Sequence, residues 1–293
     1  MITGRLLPVG RVWKAGVMPE SPEVQVLAEE LGARLNGRAL IDVEILEFRT
    51  VKTRARPPAG VVGERVTDCI RHGKLIDLVF GAQHLVVSLG RHGWARWAGA
   101  DELVADAPPA LVALTFDDGS TLELTDAGSW VSLGLWVVDD SAEVSAVAKL
   151  GPDPADAAFS RAEFDEAVVG RRKQVKAVLQ DQESLAGIGN AYSDEILFVA
   201  RLSPVAHAAA LTADELDALF TATVGVITDA ITAGRGVPIA RLKEAKVAAM
   251  LVHGRAGEPC PDGDDTIRDF TFASTTAQYC PAGQTRGELL PLK

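Results

Sequence analysis

The chain is short of cysteine, of long apolar stretches and of positive charge. Its 293 residues include three cysteines, Cys69, Cys260 and Cys280. Three thiols cannot build a disulfide framework, nor a four-cysteine zinc site on their own, and an intracellular, cytoplasmic protein is the simplest reading. No uninterrupted apolar run approaches the roughly 18 to 20 residues needed to span a bilayer, so no membrane partner is expected. Residues 1–17 carry Arg5, Arg11 and Lys14 without a compact apolar core and a small-residue cleavage site, which argues against a signal peptide. A formal net charge of −11 argues against a non-specific polyanion binder.

What is present is ordinary globular material. An apolar fraction of 47% and a charged fraction of 24% exclude wholesale disorder. The length suits two or three domains with a sizeable core. The charge, however, is segregated. Between positions 49 and 74 stand Arg49, Lys52, Arg54, Arg56, Arg65, Arg71 and Lys74, against Glu64 and Asp68. Arg171, Arg172, Lys173 and Lys176 form a second basic knot, and Arg241, Lys243, Lys246 and Arg255 a third, while acid dominates 101–166. Each knot alone reads as a solvated face. Three knots are also what convergence on one anionic partner requires.

Periodicity divides the chain into three parts. Val24, Leu27, Ala28, Leu31 and Leu35 predict a helix over 22–36, with Ser21 as N-cap, Pro22 in the first turn and Asn36-Gly37 as stop. From 39 to about 140 the signals are strands. Ile41, Val43 and Ile45 alternate, 75–80 and 85–89 are short apolar runs, and Asp118-Gly119 joins 111–116 to 121–124 as a hairpin. Helical patterns follow at 161–169, 173–180, 191–200, 212–232 and 238–246. Gly151-Pro152-Asp153-Pro154 reads as the linker between the β-rich and helical parts. Beyond 247 the chain is Gly- and turn-rich, and no internal repeat is found.

Three segments carry the chemistry: Met18-Pro19-Glu20-Ser21-Pro22-Glu23-Val24; Gln180 to Glu195, containing Gly187-Ile188-Gly189-Asn190; and Val252-His253-Gly254-Arg255 through Cys260, with Tyr279-Cys280-Pro281 beyond it. Read alone, Pro19 to Glu23 is a helix start with acids favoured by the macrodipole. Gly187 and Gly189 permit close backbone approach, and Asn190 can cap a helix or donate to a phosphate. A lysine at a strand start, such as Lys74, is by itself plain surface.

In order and spacing the three segments together closely resemble the formamidopyrimidine-DNA glycosylase and endonuclease VIII family, from Met18 to about Gln284. The resemblance implies an α+β multi-domain fold: an N-terminal β-sandwich over 18–145, a helix–two-turns–helix domain over 155–246, and a C-terminal β-hairpin finger over 247–293. It implies a base-excision-repair glycosylase and abasic-site lyase acting on double-stranded damaged DNA as a monomer, on the nucleoid. Pro19 would be the nucleophile, forming an iminium with the opened sugar, and Glu20 the general acid/base. Glu23 matches a third N-terminal position and Lys74 a phosphate-binding lysine. Gly187, Gly189, Asn190, Arg91, His92, Arg171, Lys176 and Arg255 are the expected DNA contacts.

The departures from the family pattern are as informative. Eighteen residues precede Pro19. With Met18 attached its nitrogen is a tertiary amide without nucleophilicity, so residues 1–17 are expected to be an extension or a mis-assigned start. The finger pairs read Cys260-Pro261-Asp262-Gly263 and Cys280-Pro281-Ala282-Gly283, so one cysteine of each pair is glycine. No zinc or other cofactor is therefore expected. His253, Asp262, Asp264 and Asp265 are the other donors nearby, with nothing to fix their geometry. The hairpin is expected to hold by packing of Phe270, Phe272 and Tyr279. Thr275 replaces a phosphate-gripping arginine. In the loops that fill the gap left by an everted base, Arg91 stands where methionine is usual, and Asp126-Ala127-Gly128-Ser129-Trp130 replaces an arginine- and phenylalanine-bearing run. Arg91, His92 or Trp130 would then have to compensate for lost stacking. The plain reading of Trp94, Trp97 and Trp130 is core packing. The alternative function, given these losses, is a catalytically silent relative that binds damaged or abasic DNA.

Overall fold

The computed structural model describes residues 18–99, 107–263, 265–272 and 275–290, with the backbone only at Thr275. The expectations for residues 1–17, Asp264 and the Thr275 side chain fall outside the described residues.

Helix α1 (Ser21–Leu35) forms where the periodicity places it and buries Val24, Leu27, Ala28, Leu31 and Leu35. Its N-cap is Glu20 rather than Ser21. The Glu23 carboxylate reaches back three residues to accept the Glu20 N–H at 3.0 Å, which draws Ser21 and Pro22 into the first turn.

Two antiparallel four-stranded sheets follow. One runs in the order β1 (Leu40–Ile45), β6 (Ala110–Phe116), β7 (Thr121–Asp126), β5 (Gly93–Trp97). The other runs β2 (Asp68–His72), β3 (Leu75–Phe80), β4 (Gln83–Ser88), β8 (Gly134–Val138). The two apolar runs become β3 and β4, paired from Leu75 with Ser88 to Phe80 with Gln83. Gly119 turns the β6–β7 hairpin at φ +82°. Leu78, Phe80 and Leu85 of one sheet share a core with Leu114, Phe116 and Leu124 of the other, so this half is a β-sandwich. One alternation fails. The register shifts between Leu40 and Asp42, and this bulge turns Ile41 outward to 52% exposure.

The helical half comprises α2 (Ser145–Ala148), α3 (Arg161–Val168), α4 (Val175–Gln180), α5 (Asn190–Val199), α6 (Ala213–Gly234) and α7 (Leu242–Ala249). Ser160 and Thr212 cap α3 and α6 in reciprocal boxes with Glu163 and Glu215. Helix α6 is long and apolar enough by composition to cross a membrane, but it buries Leu219, Ala222, Ile227 and Ile231 and packs on α1 and α5. The Gly151–Pro154 linker is fastened rather than free. Gly151 N–H donates to Gln182 O at 2.9 Å, Ala186 N–H to Pro152 O at 3.0 Å, and Arg71 pairs with Asp153.

The terminal hairpin is β9 (Arg268–Phe272) and β10 (Thr275–Tyr279), followed by α8 (Pro281–Gln284). Phe270, Phe272, Ala277 and Tyr279 form its small core. A second device, absent from the sequence reading, is a disulfide joining Cys260 to Cys280. Trp94 and Trp97 are buried, as core packing requires, whereas Trp130 is 57% exposed. Core packing is the wrong account of Trp130.

Candidate active site

The first turn of α5 organises the site. A helix N-terminus offers unpaired N–H groups and a positive dipole end, and a carboxylate is the natural occupant. Here that carboxylate is Glu20. It accepts from Gly189 N–H, from Ala191 N–H at 3.0 Å and from Tyr192 N–H at 3.4 Å. Burial alone would push this carboxyl up. The ammonium groups of Lys246 and Lys74, with the two closer N–H groups, hold it below the usual range. Pro19 precedes it directly and is buried.

Around Glu20 the charges alternate. Lys246 Nζ stands 3.5 Å from Glu20 Oε1 and donates to Glu23 Oε2 at 2.9 Å and to the Met18 carbonyl at 3.1 Å. Tyr192 Oη donates to Glu23 Oε1 at 2.6 Å, and the Lys246 ammonium lies 4.6 Å from the Tyr192 ring centre. Burial together with Glu23 pushes the Tyr192 hydroxyl up, so it remains a neutral donor. Lys74 enters from the β2–β3 turn. Burial lowers its amine and the charge of Glu20 partly restores it.

The two glycines are explained by side chains rather than by phosphate. A methyl on Gly189 would lie 2.6 Å from Glu20 Cδ and 2.8 Å from Lys74 Nζ; one on Gly187, at φ +86°, would meet Ser21 Cβ at 2.5 Å. Their N–H groups are already engaged, Gly187 with Gln182 Oε1 at 2.9 Å and Gly189 with Glu20. Neither has a free N–H to donate, and the close approach that these glycines allow here is to Ser21, Glu20 and Lys74. Asn190 is not the cap, since Gly189 takes that position. Its side chain bridges elements instead, donating from Nδ2 to Thr276 O at 2.8 Å and accepting from Gln180 at 3.1 Å.

Two loops border the site. Asp126 gathers the N–H groups of Gly128, Ser132 and Leu133 and the Ser132 hydroxyl, at 2.7–3.1 Å. Burial works against this carboxylate, yet these bonds keep its pKa low. Ser132 Oγ in turn accepts the Arg91 N–H at 3.0 Å, so the loop holding Trp130 and the loop holding Arg91 and His92 are fastened to one another. Arg91 is exposed, and His92 meets Trp130 edge-on with ring centres 6.2 Å apart. Lys243 ties these loops to α7. Its amine donates to His92 O at 3.3 Å and is pushed down to about 8 by burial, against the pull of Asp126.

Lys176 is not a surface contact. It is 0% exposed, and its amine donates to Asp194 Oδ1 at 2.6 Å, Ser193 Oγ at 2.7 Å and Asn190 O at 3.3 Å. Its sequence neighbours Val175, Val178 and Leu179 take it into the core, where Asp194 requires a counter-charge. Asp194 Oδ2 also lies 2.7 Å from His253 Nδ1 and accepts the Gln278 N–H at 3.1 Å, which ties α5 to the hairpin. Arg171 is exposed, with Nε donating to Ala167 O, whereas Arg255 is partly buried, pairs with Glu258 and donates to Met250 O. Sequence reasoning did not single out Lys246 or Tyr192. The available signal was Lys246 on the apolar stripe of α7, one turn after Leu242.

The family's finger zinc does not fit these residues. Cys260 and Cys280 are bonded to each other, and Gly263 and Gly283 carry no donor. Among the described residues no group of three or more His, Cys, Asp or Glu side chains is spaced to hold a metal.

Fold and site define a class: a β-sandwich joined to a helical bundle, with a proline nitrogen beside a buried carboxylate docked on a helix N-terminus. Residues 18–130 match the formamidopyrimidine-DNA glycosylase N-terminal domain, and residues 150–240 the formamidopyrimidine-DNA glycosylase H2TH domain. A formamidopyrimidine-DNA glycosylase of Geobacillus kaustophilus is 30% identical over 275 residues, covering 91% of this chain and 100% of that protein. An uncharacterized formamidopyrimidine-DNA glycosylase-like protein of Mycobacterium tuberculosis is 43% identical over 141 residues, 48% of this chain and 88% of its own. Among solved structures, the MutM (Fpg) protein of Thermus thermophilus superposes with a TM-score of 0.77 at 28% identity, covering 91% of this chain and 99% of that one. MutM in complex with carbocyclic 8-oxo-G containing DNA gives 0.78 at 26%, with the same coverage. The chain belongs to the formamidopyrimidine-DNA glycosylase family.

Proposed function

We propose that this protein is a base-excision-repair DNA glycosylase with abasic-site lyase activity, acting on damaged double-stranded DNA through the amine of Pro19. The observation that carries the reading is Glu20, adjacent to Pro19 and held as a carboxylate by Gly189 and Ala191 N–H groups between Lys74 and Lys246. In the acting form Pro19 is the first residue, its secondary amine freed by removal of Met18 and whatever precedes it. The match to the family's N-terminal domain beginning at residue 18 supports that start. The relatives named as glycosylases over more than nine-tenths of this chain leave the silent DNA-binding alternative unfavoured.

The chemistry follows from the groups present. The unprotonated Pro19 nitrogen bonds to C1′ as the C1′–base bond breaks and its electrons leave with the base, and Glu20 takes the proton from the nitrogen once that bond has made it positively charged. Returning that proton to O4′ opens the sugar and leaves a charged iminium between Pro19 and C1′. The iminium withdraws electrons, so loss of a C2′ proton expels the 3′ phosphate and cuts the strand. Lys74, half-buried at the β2–β3 turn beside Glu20, offsets phosphate charge. Arg91, His92 and exposed Trp130 form the rim that meets the disrupted stack, and Arg171, Arg255 and Asn190 supply further contacts. The working domains are 18–145, 155–246 and 247–293, the last held without zinc. The protein acts as a monomer on the nucleoid in the cytoplasm. The test is borohydride reduction of protein starting at Pro19 on abasic-site DNA. A covalent adduct that disappears on N-terminal acetylation is expected, and its absence overturns the reading.

A further inference from the structure

Lys246 has no task in the chemistry above, yet among the described residues no other lysine bonds so much of the site. Its side chain is 1% exposed and lies on the buried stripe of α7. Its amine bonds Glu23 at 2.9 Å, stands 3.5 Å from Glu20 and donates to the Met18 carbonyl oxygen at 3.1 Å. An amide oxygen is about 2.3 Å from the amide nitrogen by covalent geometry, so Lys246 Nζ is within about 5.4 Å of Pro19 N. Removal of residue 18 takes away the acceptor between them. The ammonium then faces the freed amine directly.

We infer that Lys246 is the positioning residue of the nucleophile: its buried positive charge keeps the Pro19 amine unprotonated at neutral pH while it holds Glu20 and Glu23 in place. The inference rests on the reading of Pro19 as nucleophile. It does not make Lys246 a nucleophile, because its side chain is 1% exposed and its amine is held by Glu23 at 2.9 Å and stands 3.5 Å from Glu20. The charged and titratable groups of the network that Glu20 brings beside Pro19 are Glu20, Glu23 on α1, Lys74 from the β2–β3 turn, Tyr192 on α5 with Glu195 beyond it, and Lys246 and Lys243 on α7, with Asp126 behind Lys243. The carboxylates favour an ammonium on Pro19, and the lysines oppose it. Lys246 is the lysine that meets both carboxylates, so its loss leaves them uncompensated beside the amine.

The experiment is the pH profile of borohydride trapping on abasic-site DNA, using protein that starts at Pro19. Lys246→Met is expected to move the midpoint up by about one pH unit, so that about tenfold less amine is free at any pH below it. Lys246→Arg, which keeps the charge, is expected to restore the midpoint. A uniformly slower Lys246→Met variant with an unmoved midpoint overturns the inference and leaves the function intact. If Lys246→Met loses its cooperative melt, the wild-type profile decides. A midpoint at or below about 7.7, the ordinary α-amino value, supports the inference, and one near 9 overturns it. No wild-type adduct at any pH overturns the proposed function and this inference together.

Discussion

Alanine at Gly189 places one methyl group where the site has no room. The backbone there is extended, at φ −126° and ψ −152°, which alanine adopts without strain, so conformational freedom is not the issue. The issue is that the new carbon would sit 2.6 Å from Glu20 Cδ, 2.8 Å from Lys74 Nζ and 2.9 Å from Glu20 Oε1. Ordinary non-bonded carbon contacts are about 3.5–4.0 Å, so the carboxylate must retreat by about 1 Å. That retreat breaks its bonds from Gly189 and Ala191 N–H. Hydrogen bonds to a charged group contribute about 1.5–3 kcal/mol each, and partial relaxation leaves a net destabilisation of about 3 kcal/mol. A displacement of about 1 Å at the reacting centre costs roughly 10²-fold in rate. Thermal unfolding and single-turnover cleavage of abasic-site DNA read the two effects separately. Gly225→Ala is the control, since nothing lies within 4 Å of its added methyl in the middle of α6. That change is expected to stabilise by about 0.5–1 kcal/mol with no effect on rate. A Gly189→Ala protein with the stability and rate of the native chain would refute the packing account of this glycine.

Three further outcomes are expected. Lys176→Met removes the buried ammonium that pairs with Asp194 Oδ1, leaving that carboxylate only His253 and the Gln278 N–H, and should cost about 3–5 kcal/mol in denaturant unfolding, whereas Arg171→Ala should leave stability unchanged and flatten the salt dependence of DNA binding. Equal behaviour of the two variants contradicts their assignment to core and surface. Cys280→Ser opens a disulfide that closes a 20-residue separation and should destabilise by about 3 kcal/mol, with no zinc released. Metal analysis finding about one zinc per chain contradicts this. Trp130→Ala should leave the melting temperature unchanged, because the ring is already exposed, but weaken binding to abasic-site duplex. Native affinity in that variant removes Trp130 from the DNA surface.

Much of the architecture is legible in the sequence because it depends on local period. The short apolar runs at 75–80 and 85–89, bounded by turn residues, read as buried strands, and the stripe from Val24 to Leu35 reads as one helix face. The site is legible only as a set of segments. Pro19 and Glu20 are neighbours in the chain but Gly189 lies far from both, and Glu20 and Gly189 meet because a carboxylate 169 residues away satisfies the N-terminus of α5. What stayed hidden is a matter of partners. A lysine in a basic run reads as solvated until its counter-charge is known. Lys176 finds Asp194 18 residues on, and Lys246 finds Glu23 223 residues back. The bulge at Ile41 drops one residue from an alternating pattern, leaving Val43 and Ile45 against the core, without any turn residue to announce it. Cys260 and Cys280 read as leftovers of a zinc site because spacing alone does not say that two thiols meet.

The central claim is that the nitrogen of residue 19 is the reacting atom. Protein beginning at Pro19 is to be reduced on abasic-site DNA with borohydride, digested, and the sugar-bearing peptide sequenced by tandem mass spectrometry. The account predicts the mass increment on the Pro19 nitrogen alone. An increment on Lys74, Lys243 or Lys246, or no adduct at all, contradicts it.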